Sequence, residues 1–346
     1  MVKMRSMFRY RIVLGRARPF IAACVLFIFA FLIYVQLSPL DAIPTQQKAR
    51  QLAKSDLVRA IPKIIHQSYK SERIPRQYWD SVRSWRRRHP EYEYFLWTDE
   101  DIDRFIKQEY PEFFPLFQSY SHKLQKVDAV RYFILYHYGG VYADMDMDAL
   151  KPLDPLIARH SCIISRERYA QTMFLWSQKE SLMNCIMASS PRHPFMKFVM
   201  SKLPNTASST LNTAFNRLIR SSKYILTSTG PLALTEIFYD YKPCRQNSLM
   251  CDVYLSEPEE LLPTLKDETL AEIRSYCTSW LYAPLYFLSP WRRLACYELE
   301  RVNYRNRIVN SSFTDHKFSN HGYQEGVSVQ HVTKHISELV GQFKRF

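Results

Sequence analysis

Along the central part of this chain, segments with the hydrophobic pattern of strands alternate with segments that have the pattern of helices. Apolar runs with the composition of buried strands predict strands at Ile61–Gln67, Tyr92–Trp97, Val141–Ala143 and Ser161–Ser165. Apolar positions spaced by three and four predict helices over Tyr78–Arg88, from Thr98 onward and over Leu124–Tyr138. Strands that alternate with helices are typical of an α/β fold with a parallel sheet and crossover connections.

The later part of the chain gives weaker patterns. Gln178–Leu203, which includes Asn184, is predicted to be a loop between helices, and Ile225–Pro231 a strand that ends in a tight turn. Residues 240 to 320 show little periodicity.

The N-terminal segment has the pattern of a membrane anchor. Residues 19 to 40 form an uncharged segment. This segment is long enough to cross a bilayer, which needs ~20 residues. The residues before it are basic and never acidic, so the N-terminus is expected to stay cytoplasmic. A cleaved signal peptide is the alternative, but the apolar run is long for one and no small-residue cleavage site follows. We therefore predict a tail over 1–18, an anchor over 19–40, a stem over 41–60 and a lumenal domain over 61–346.

Composition adds further limits. With 47% hydrophobic and 14% aromatic residues, the chain can bury a sizeable core. Part of the net charge of +14 lies in the basic tail, so nucleic acid is not predicted as a partner. Arg83 and Arg86–Arg88 form a basic cluster, predicted to be either a solvated helix face or a contact for anionic headgroups or substrate.

Six cysteines follow the anchor, and this even number fits an oxidising compartment. Cys244 with Cys251, and Cys277 with Cys296, are the predicted disulfides, although free buried thiols are an alternative. Asn310 begins a glycosylation sequon, which agrees with a lumenal location.

The strongest candidate chemistry lies where the predicted helix Leu124–Tyr138 stops at Gly139 and a short strand follows. Asp144, Asp146 and Asp148 come next, and in an extended backbone residues two apart point to the same side. Converging carboxylates at the carboxyl end of a strand predict a site for Mn²⁺ or Mg²⁺ with a diphosphate. A solvated acidic turn is the plain alternative, as is a surface ion pair for Asp128 and Arg131 one helical turn apart.

Several ordered motifs lie at Ile61–Tyr69, Trp97–Asp99, Asp128–Tyr132, Gly139–Asp146, Asn184, His193–Pro194 and Ser228–Pro231. Together these motifs resemble glycosyltransferase family 32. Within the family the chain looks most like the catalytic subunits of mannosyl-inositol-phosphorylceramide synthases, with the fungal Golgi initiating mannosyltransferases and α-1,4-galactosyltransferases as relatives. The resemblance implies a GT-A, Rossmann-like nucleotide-sugar-binding domain, a divalent metal and retention of anomeric configuration.

Residue roles follow from the same resemblance. The implied donor-binding residues are His66, Gln67, Tyr69, Asp128, Arg131 and Asp144, with Tyr69 as a stacking surface for the base. The implied metal ligands are Asp144, Asp146 and a C-terminal histidine, which the family has near a Gly-Ser-Trp motif. This chain lacks that Trp, and the candidates are His321 and the segment from His331 to His335, with His331 taken as the ligand. Asp148 has no family role, and no catalytic base is named.

The predicted function is transfer of mannose from GDP-mannose to an inositol-phosphorylceramide-like glycolipid in the Golgi membrane, with a small regulatory membrane subunit as partner. A galactosyl or N-acetylhexosaminyl transferase that uses a UDP-sugar is the nearest alternative. A non-catalytic membrane adaptor with the same fold is another. A metal-dependent nuclease or phosphatase would also cluster carboxylates, but a second ligand set is not recognisable.

Overall fold

A computed structural model describes residues 60–208, 221–242, 252–279, 289–318 and 332–346. The predicted anchor, the disulfide Cys244–Cys251 and the candidate ligands His321 and His331 lie outside these ranges. None of the helices within them combines the length and hydrophobicity needed to cross a bilayer.

Within these ranges, ten strands lie in three sheets. They are β1 (Ile64–Ser68), β2 (Arg73–Pro75), β3 (Glu93–Trp97), β4 (Gly140–Ala143), β5 (Met147–Ala149), β6 (Cys162–Arg166), β7 (Leu182–Ser189), β8 (Tyr254–Ser256), β9 (Thr314–His316) and β10 (Thr333–His335). The main sheet has the order β3-β1-β4-β7-β6-β8, while β10 pairs with β2 and β5 pairs with β9.

Thirteen α-helical segments are seen in the described residues. They are α1 (Trp79–Arg88), α2 (Asp99–Glu109), α3 (Phe114–Ser119), α4 (Lys123–Tyr138), α5 (Asp154–Ile157), α6 (Tyr169–Gln171), α7 (Pro194–Ser208), α8 (Ser221–Ser228), α9 (Pro231–Asp240), α10 (Pro258–Leu261), α11 (Asp267–Thr278), α12 (Pro290–Glu300) and α13 (Ser337–Val340). A 3₁₀ turn covers Arg76–Tyr78, and a π-helical turn covers Thr172–Trp176.

The α/β class is confirmed, but the sheet is mixed. Strands β1, β3 and β4 are parallel, as predicted. Strand β7 runs antiparallel to both β4 and β6, in the stretch predicted to be a loop. Its residues are almost all buried, so the alternation that marks a half-exposed strand is absent from its sequence.

The prediction of a strand at Ile225–Pro231 is wrong, because α8 covers its first half and Pro231 begins α9. The hydroxyl groups of Thr227 and Ser228 donate to the carbonyls three residues earlier in this helix.

The core has two main parts on opposite faces of the main sheet. Neighbouring strand residues divide between them: Val141 packs in one cluster and Tyr142 in the other. A third, smaller hydrophobic cluster lies under α11 and α12. The predicted disulfide Cys277–Cys296 is present and joins these two helices. Cys162 and Cys185 are free buried thiols.

The basic cluster of α1 serves two purposes. Arg86 donates hydrogen bonds to the carbonyls of Val340 and Tyr92, so it fixes neighbouring segments to the helix. Arg87 and Arg88 are exposed, as a solvated helix face requires.

Candidate functional site

Strand directions place several chain segments at one edge of the main sheet. Because β7 is antiparallel to both β4 and β6, those two strands point the same way, and β1, β3 and β8 share that direction. The carboxyl ends of all five strands therefore lie at one edge, together with the start of β7. Open α/β sheets bind ligands at this kind of edge.

Asp144 follows β4 at this edge and is held by backbone and side-chain contacts. Its N–H donates to the carbonyl of Cys185 in β7 (2.8 Å), and its own carbonyl accepts a hydrogen bond from Gln67 Nε2 (3.0 Å). Gln67 is fixed in turn by the hydroxyl of Tyr94, 2.6 Å from Gln67 Oε1. Burial raises the pKa of Asp144 to about 6, although the charge of Arg131 opposes that shift.

Arg131 joins the acidic side chains of α4 and β4. Its guanidinium lies 3.0 Å from Asp144 Oδ1 and 3.2 Å from Asp128 Oδ1, and it donates to the carbonyl of Asn184 at 2.8 Å. The side chains of Arg131 and Asp128 are only 4% and 7% exposed, so the surface ion pair considered above is excluded. Burial raises the pKa of Asp128, which the charge of Arg131 and a hydrogen bond from Asn184 Nδ2 (3.0 Å) counteract.

The prediction that three carboxylates converge from one extended strand is wrong. A turn interrupts the strand after Ala143, and the N–H of Met147 closes it on the carbonyl of Asp144 at 3.0 Å. Asp148 lies beyond the turn in β5, where it accepts a hydrogen bond from Ser81 (2.6 Å) and an ion pair from Lys317 (3.2 Å). Asp148 therefore contributes to the packing of β5 against α1 and β9.

The turn brings Asp146 to a histidine that the sequence did not indicate. His316 Nε2, in β9, lies 3.3 Å from Asp146 Oδ1, and its buried Nδ1 has no hydrogen-bond partner among the residues that the structure describes. Burial would lower the pKa of His316, but the hydrogen bond and charge of Asp146 outweigh it and raise the pKa. His316 lies in the stretch with little periodicity, and β5–β9 pairing is what brings it to the site.

These groups fit a cation that arrives with a nucleotide. Within the described ranges no group of three or more His, Cys, Asp or Glu side chains is arranged to hold a metal ion. Mg²⁺ and similar hard ions, however, commonly take one or two protein carboxylates and complete their shell with water and phosphate oxygens. The carboxylates of Asp144 and Asp146 offer that donor chemistry, and the imidazole of His316 contacts Asp146.

The first-strand residues have different environments. His66 is fully buried; its Nδ1 accepts from Trp97 Nε1 (3.1 Å) and its Nε2 donates to the carbonyl of Gly139 (2.9 Å). Burial lowers the pKa of His66 to about 4, in agreement with a neutral ring. His66 and Gln67 are thus buried residues that hold the backbone of the site. Tyr69, in contrast, is half-buried beside Tyr78, with 5.8 Å between the ring centroids. Asn310 is exposed in a turn.

A family model described as the glycosyltransferase sugar-binding region containing the DXD motif matches residues 75–163. Inositol phosphoceramide mannosyltransferase 1 of Schizosaccharomyces pombe is 37% identical over 52% of this chain and 52% of its own length. Mannosyl phosphorylinositol ceramide synthase SUR1 of Saccharomyces cerevisiae is 38% identical over 54% of this chain and 44% of its own. The initiation-specific alpha-1,6-mannosyltransferase of Candida albicans is 29% identical over 32% of this chain and 31% of its own.

The chain thus spans about half the length of the first two of these relatives. Among solved structures, the apo form of mouse xyloside xylosyltransferase 1 aligns with 74% of this chain and 97% of its own at 10% identity, with a TM-score of 0.39. The matched family region contains Asp128, Arg131, Asp144 and Asp146. Residues 75–163 are therefore similar to the sugar-binding region of DXD-containing glycosyltransferases, and the resemblance predicted from the sequence is confirmed to that extent.

Proposed function

We propose that this protein transfers mannose from GDP-mannose to an inositol-phosphorylceramide-like glycolipid, with retention of configuration and with Mn²⁺ or Mg²⁺. The observation that carries the proposal is the buried ion-pair cluster of Asp128, Arg131 and Asp144 beside Asp146, at the edge where strand ends meet. The relatives support this choice of sugar, since three of them are named mannosyltransferases or mannosyl synthases, and two of those names include inositol phosphoceramide or phosphorylinositol ceramide.

Each residue of the edge has a distinct part in this proposal. Arg131 supplies a fixed positive charge near a donor diphosphate, and such a preorganised charge stabilises the charge that develops on a leaving group. Asp144 and Asp128 would accept hydrogen bonds from sugar hydroxyls, because each presents a carboxylate whose position Arg131 fixes. Asp146, with His316 beside it, would hold the cation. A bound Mn²⁺ or Mg²⁺ would neutralise charge on the diphosphate.

The same proposal extends to the fold, the membrane attachment and the C-terminal metal ligand. We take the domain to be of the GT-A type, with Tyr69 as the stacking surface for the base. A type II anchor over residues 19–40 would hold it in the Golgi membrane, near a glycolipid acceptor and a small regulatory membrane subunit. The C-terminal metal ligand is proposed to be His316, in contact with Asp146, whereas His331 lies outside the described residues.

The test uses the full chain purified in detergent, Mn²⁺, inositol phosphorylceramide and one nucleotide sugar at a time. GDP-mannose should give a mannosylated lipid by mass spectrometry, and UDP-galactose and UDP-N-acetylglucosamine should not. Product from a UDP-sugar alone would favour the nearest alternative. An absence of both donor binding and turnover would reject every transferase assignment.

A matched pair of variants separates an enzyme from an adaptor. Asp146→Asn should abolish transfer while the thermal unfolding midpoint stays close to that of the wild type, since the substitution keeps the size of the side chain. Asp80→Asn is the control, because Asp80 is a fully exposed acid on α1. If Asp146→Asn transfers mannose as well as Asp80→Asn does, Asp146 has no part in catalysis.

A further inference from the structure

The segment between β6 and β7 combines three irregular backbone features. The pairing of β6 with β7 shifts register between Ile164 and Ser165. A π-helical turn follows over Thr172–Trp176, and Ser177 ends it in the left-handed region, with φ of 54°. Bulges and π-turns are over-represented near functional sites, where they redirect side chains. Since β6 points the same way as β4, this segment leaves the sheet at the edge that carries Asp144.

Glu167 is hydrogen-bonded to side chains of the π-helical turn and of the residue before it. Its buried carboxylate accepts hydrogen bonds from the side-chain amide of Gln171, from Thr172 Oγ1 (3.4 Å) and from Trp176 Nε1 (3.0 Å). All three donors are neutral, and burial raises the pKa of Glu167. A buried carboxylate is unfavourable unless it is hydrogen-bonded, so these three bonds tie the position of Glu167 to that of the turn.

The neighbouring arginines do not neutralise this carboxylate. Arg166 pairs with Glu180 and Glu257, at 2.8 Å and 3.5 Å. Arg168 donates to the carbonyl of Pro263 at 2.8 Å and lies 3.9 Å from Glu298. Both guanidinium groups therefore contact other segments. The carboxylate of Glu167 orients the turn.

Trp176 is the side chain whose orientation this bond decides. It is half-buried, and its single polar group, the indole N–H, is donated to Glu167. The rest of the side chain offers only aromatic surface, and Leu175 next to it is 42% exposed. A fixed, partly accessible aromatic side chain beside an exposed apolar residue is suited to bind the apolar face of a ring.

Glu167 also lies on the Asp144 side of the sheet. It follows the last residue of β6, and its N–H donates to the carbonyl of Ser181, directly before β7, at 2.9 Å. The proposed base contact, Tyr69, follows β1 on one flank of β4. The segment with Trp176 follows β6 on the other flank.

We infer that Trp176 forms an acceptor subsite, where a polyhydroxylated ring, a sugar or a cyclitol, packs its apolar face against the indole. Glu167 acts as a positioning residue that sets the orientation of the indole. The inference rests on the proposed function, since it names the part of the acceptor that this edge receives. Packing through a ring face leaves the ring hydroxyls free to react.

The test measures binding of myo-inositol 1-phosphate and of methyl α-mannopyranoside to the full chain by saturation-transfer NMR, without any donor. We expect Trp176→Ala to weaken binding of the preferred probe about tenfold, as loss of a central aromatic contact does. Trp176→Phe keeps an aromatic face and should weaken it about threefold. Leu294→Ala is the control, since Leu294 is exposed on α12 without being part of the proposed subsite.

A second measurement on the same preparations separates a subsite from a general structural role. GDP affinity with Mn²⁺ should be the same in the wild type, Trp176→Ala and Glu167→Gln, whereas ring binding falls in both variants. Wild-type binding of neither probe, unchanged ring binding in Trp176→Ala, or an equal fall in GDP affinity would overturn the inference. If Trp176→Ala does not fold, Trp176→Phe and Glu167→Gln decide it by the same comparison.

The two proposals fail separately. Ring binding that depends on Trp176, in a protein that transfers no mannose, supports the subsite and rejects the mannosyltransferase. Mannose transfer without any dependence on Trp176 does the opposite. The preferred probe distinguishes a cyclitol acceptor from a sugar acceptor.

Discussion

Arg131 is the residue on which the acidic side chains of the sheet edge depend. It faces Asp128 from its own helix and Asp144 from β4, and all three are shielded from water to a large degree. A buried charge without a partner is far less favourable than a paired one. The residue thus links the stability of the domain to the shape of the proposed donor site.

Arg131→Met should lower the free energy of unfolding by about 3–5 kcal/mol, because it leaves two carboxylates without their cation. Arg83→Met is the matched control: Arg83 pairs with Asp80 at the same i,i+3 spacing, but on an exposed helix face. The unfolding transition of Arg83→Met should coincide with that of the wild type. Urea denaturation of both variants checks this, and equal losses would mean that the buried cluster has no special role.

At the scale of elements, two glycines decide how α4 passes into β4. Gly139 has φ of +68° and Gly140 has φ of +92°, a region that side chains rarely adopt. The space there is also filled. A Cβ at Gly139 would lie 2.7 Å from Pro191 Cδ and 2.9 Å from Pro62 Cδ. The turn thus sets the position from which Asp144 leaves the strand.

Gly139→Ala should destabilise the protein more than Gly341→Ala does. Gly341 has nearly the same φ, +71°, but nothing lies within 4 Å of its Cβ position. Backbone strain in this sparsely populated region costs about 1–3 kcal/mol at either position, so the excess at Gly139 reports the clash. Chemical denaturation gives both values, and a loss at Gly139 no larger than at Gly341 would show that the prolines move aside freely.

A second element-scale feature is the attachment of residues 344–346 to α2 and β3. Arg345 lies 2.8 Å from Asp101, and it also pairs with Glu72. Burial would raise the pKa of Asp101, but hydrogen bonds from Arg345 and Thr98 outweigh it and lower the pKa. His335 and Arg345 lower the pKa of Glu72.

Because both pKa values are lowered on folding, this attachment stabilises the protein above about pH 4, the value for unfolded carboxyls, and the contribution is lost as the pH falls through the lowered values. Arg345→Ala should therefore be destabilising at pH 7 and much less so at pH 3. Unfolding measured at both values checks this. A difference from the wild type that does not depend on pH would mean that packing, and not charge, holds the segment.

At the scale of the whole molecule, the proposed site is an assembly of distant segments. Asp144 follows β4, Gln67 belongs to β1, Asn184 to β7 and His316 to β9. Neither the mixed sheet nor the β5–β9 pair alone would bring them together. A ligand that bridges these segments should therefore stabilise the entire domain.

GDP with Mn²⁺, at a hundred times its dissociation constant, should raise the free energy of unfolding by about 2.7 kcal/mol. EDTA should remove most of this gain, since the carboxylates of Asp144 and Asp146 would then repel the diphosphate. Thermal melts with and without EDTA test the prediction. Stabilisation by GDP that is equal in EDTA would argue against a cation shared by protein and nucleotide.

Local patterns in the sequence were sufficient for the elements that form from their own residues. The helix ending at Gly139, the Thr98 cap of α2 and the strands β1, β3, β4 and β6 all follow from hydrophobic period and end signals. Asp128 and Arg131, one turn apart, were predicted as a pair for the same reason.

Tertiary structure alone decided what depends on long-range pairing. Strand β7 is buried on both faces, so no alternation marked it, and its antiparallel insertion made the sheet mixed. The turn at Asp146 replaced a predicted extended run, and β9 supplied His316 from the least periodic part of the chain. The sequence of a segment determines its own hydrophobic period. The segment that packs against it is determined by the packing of the whole core.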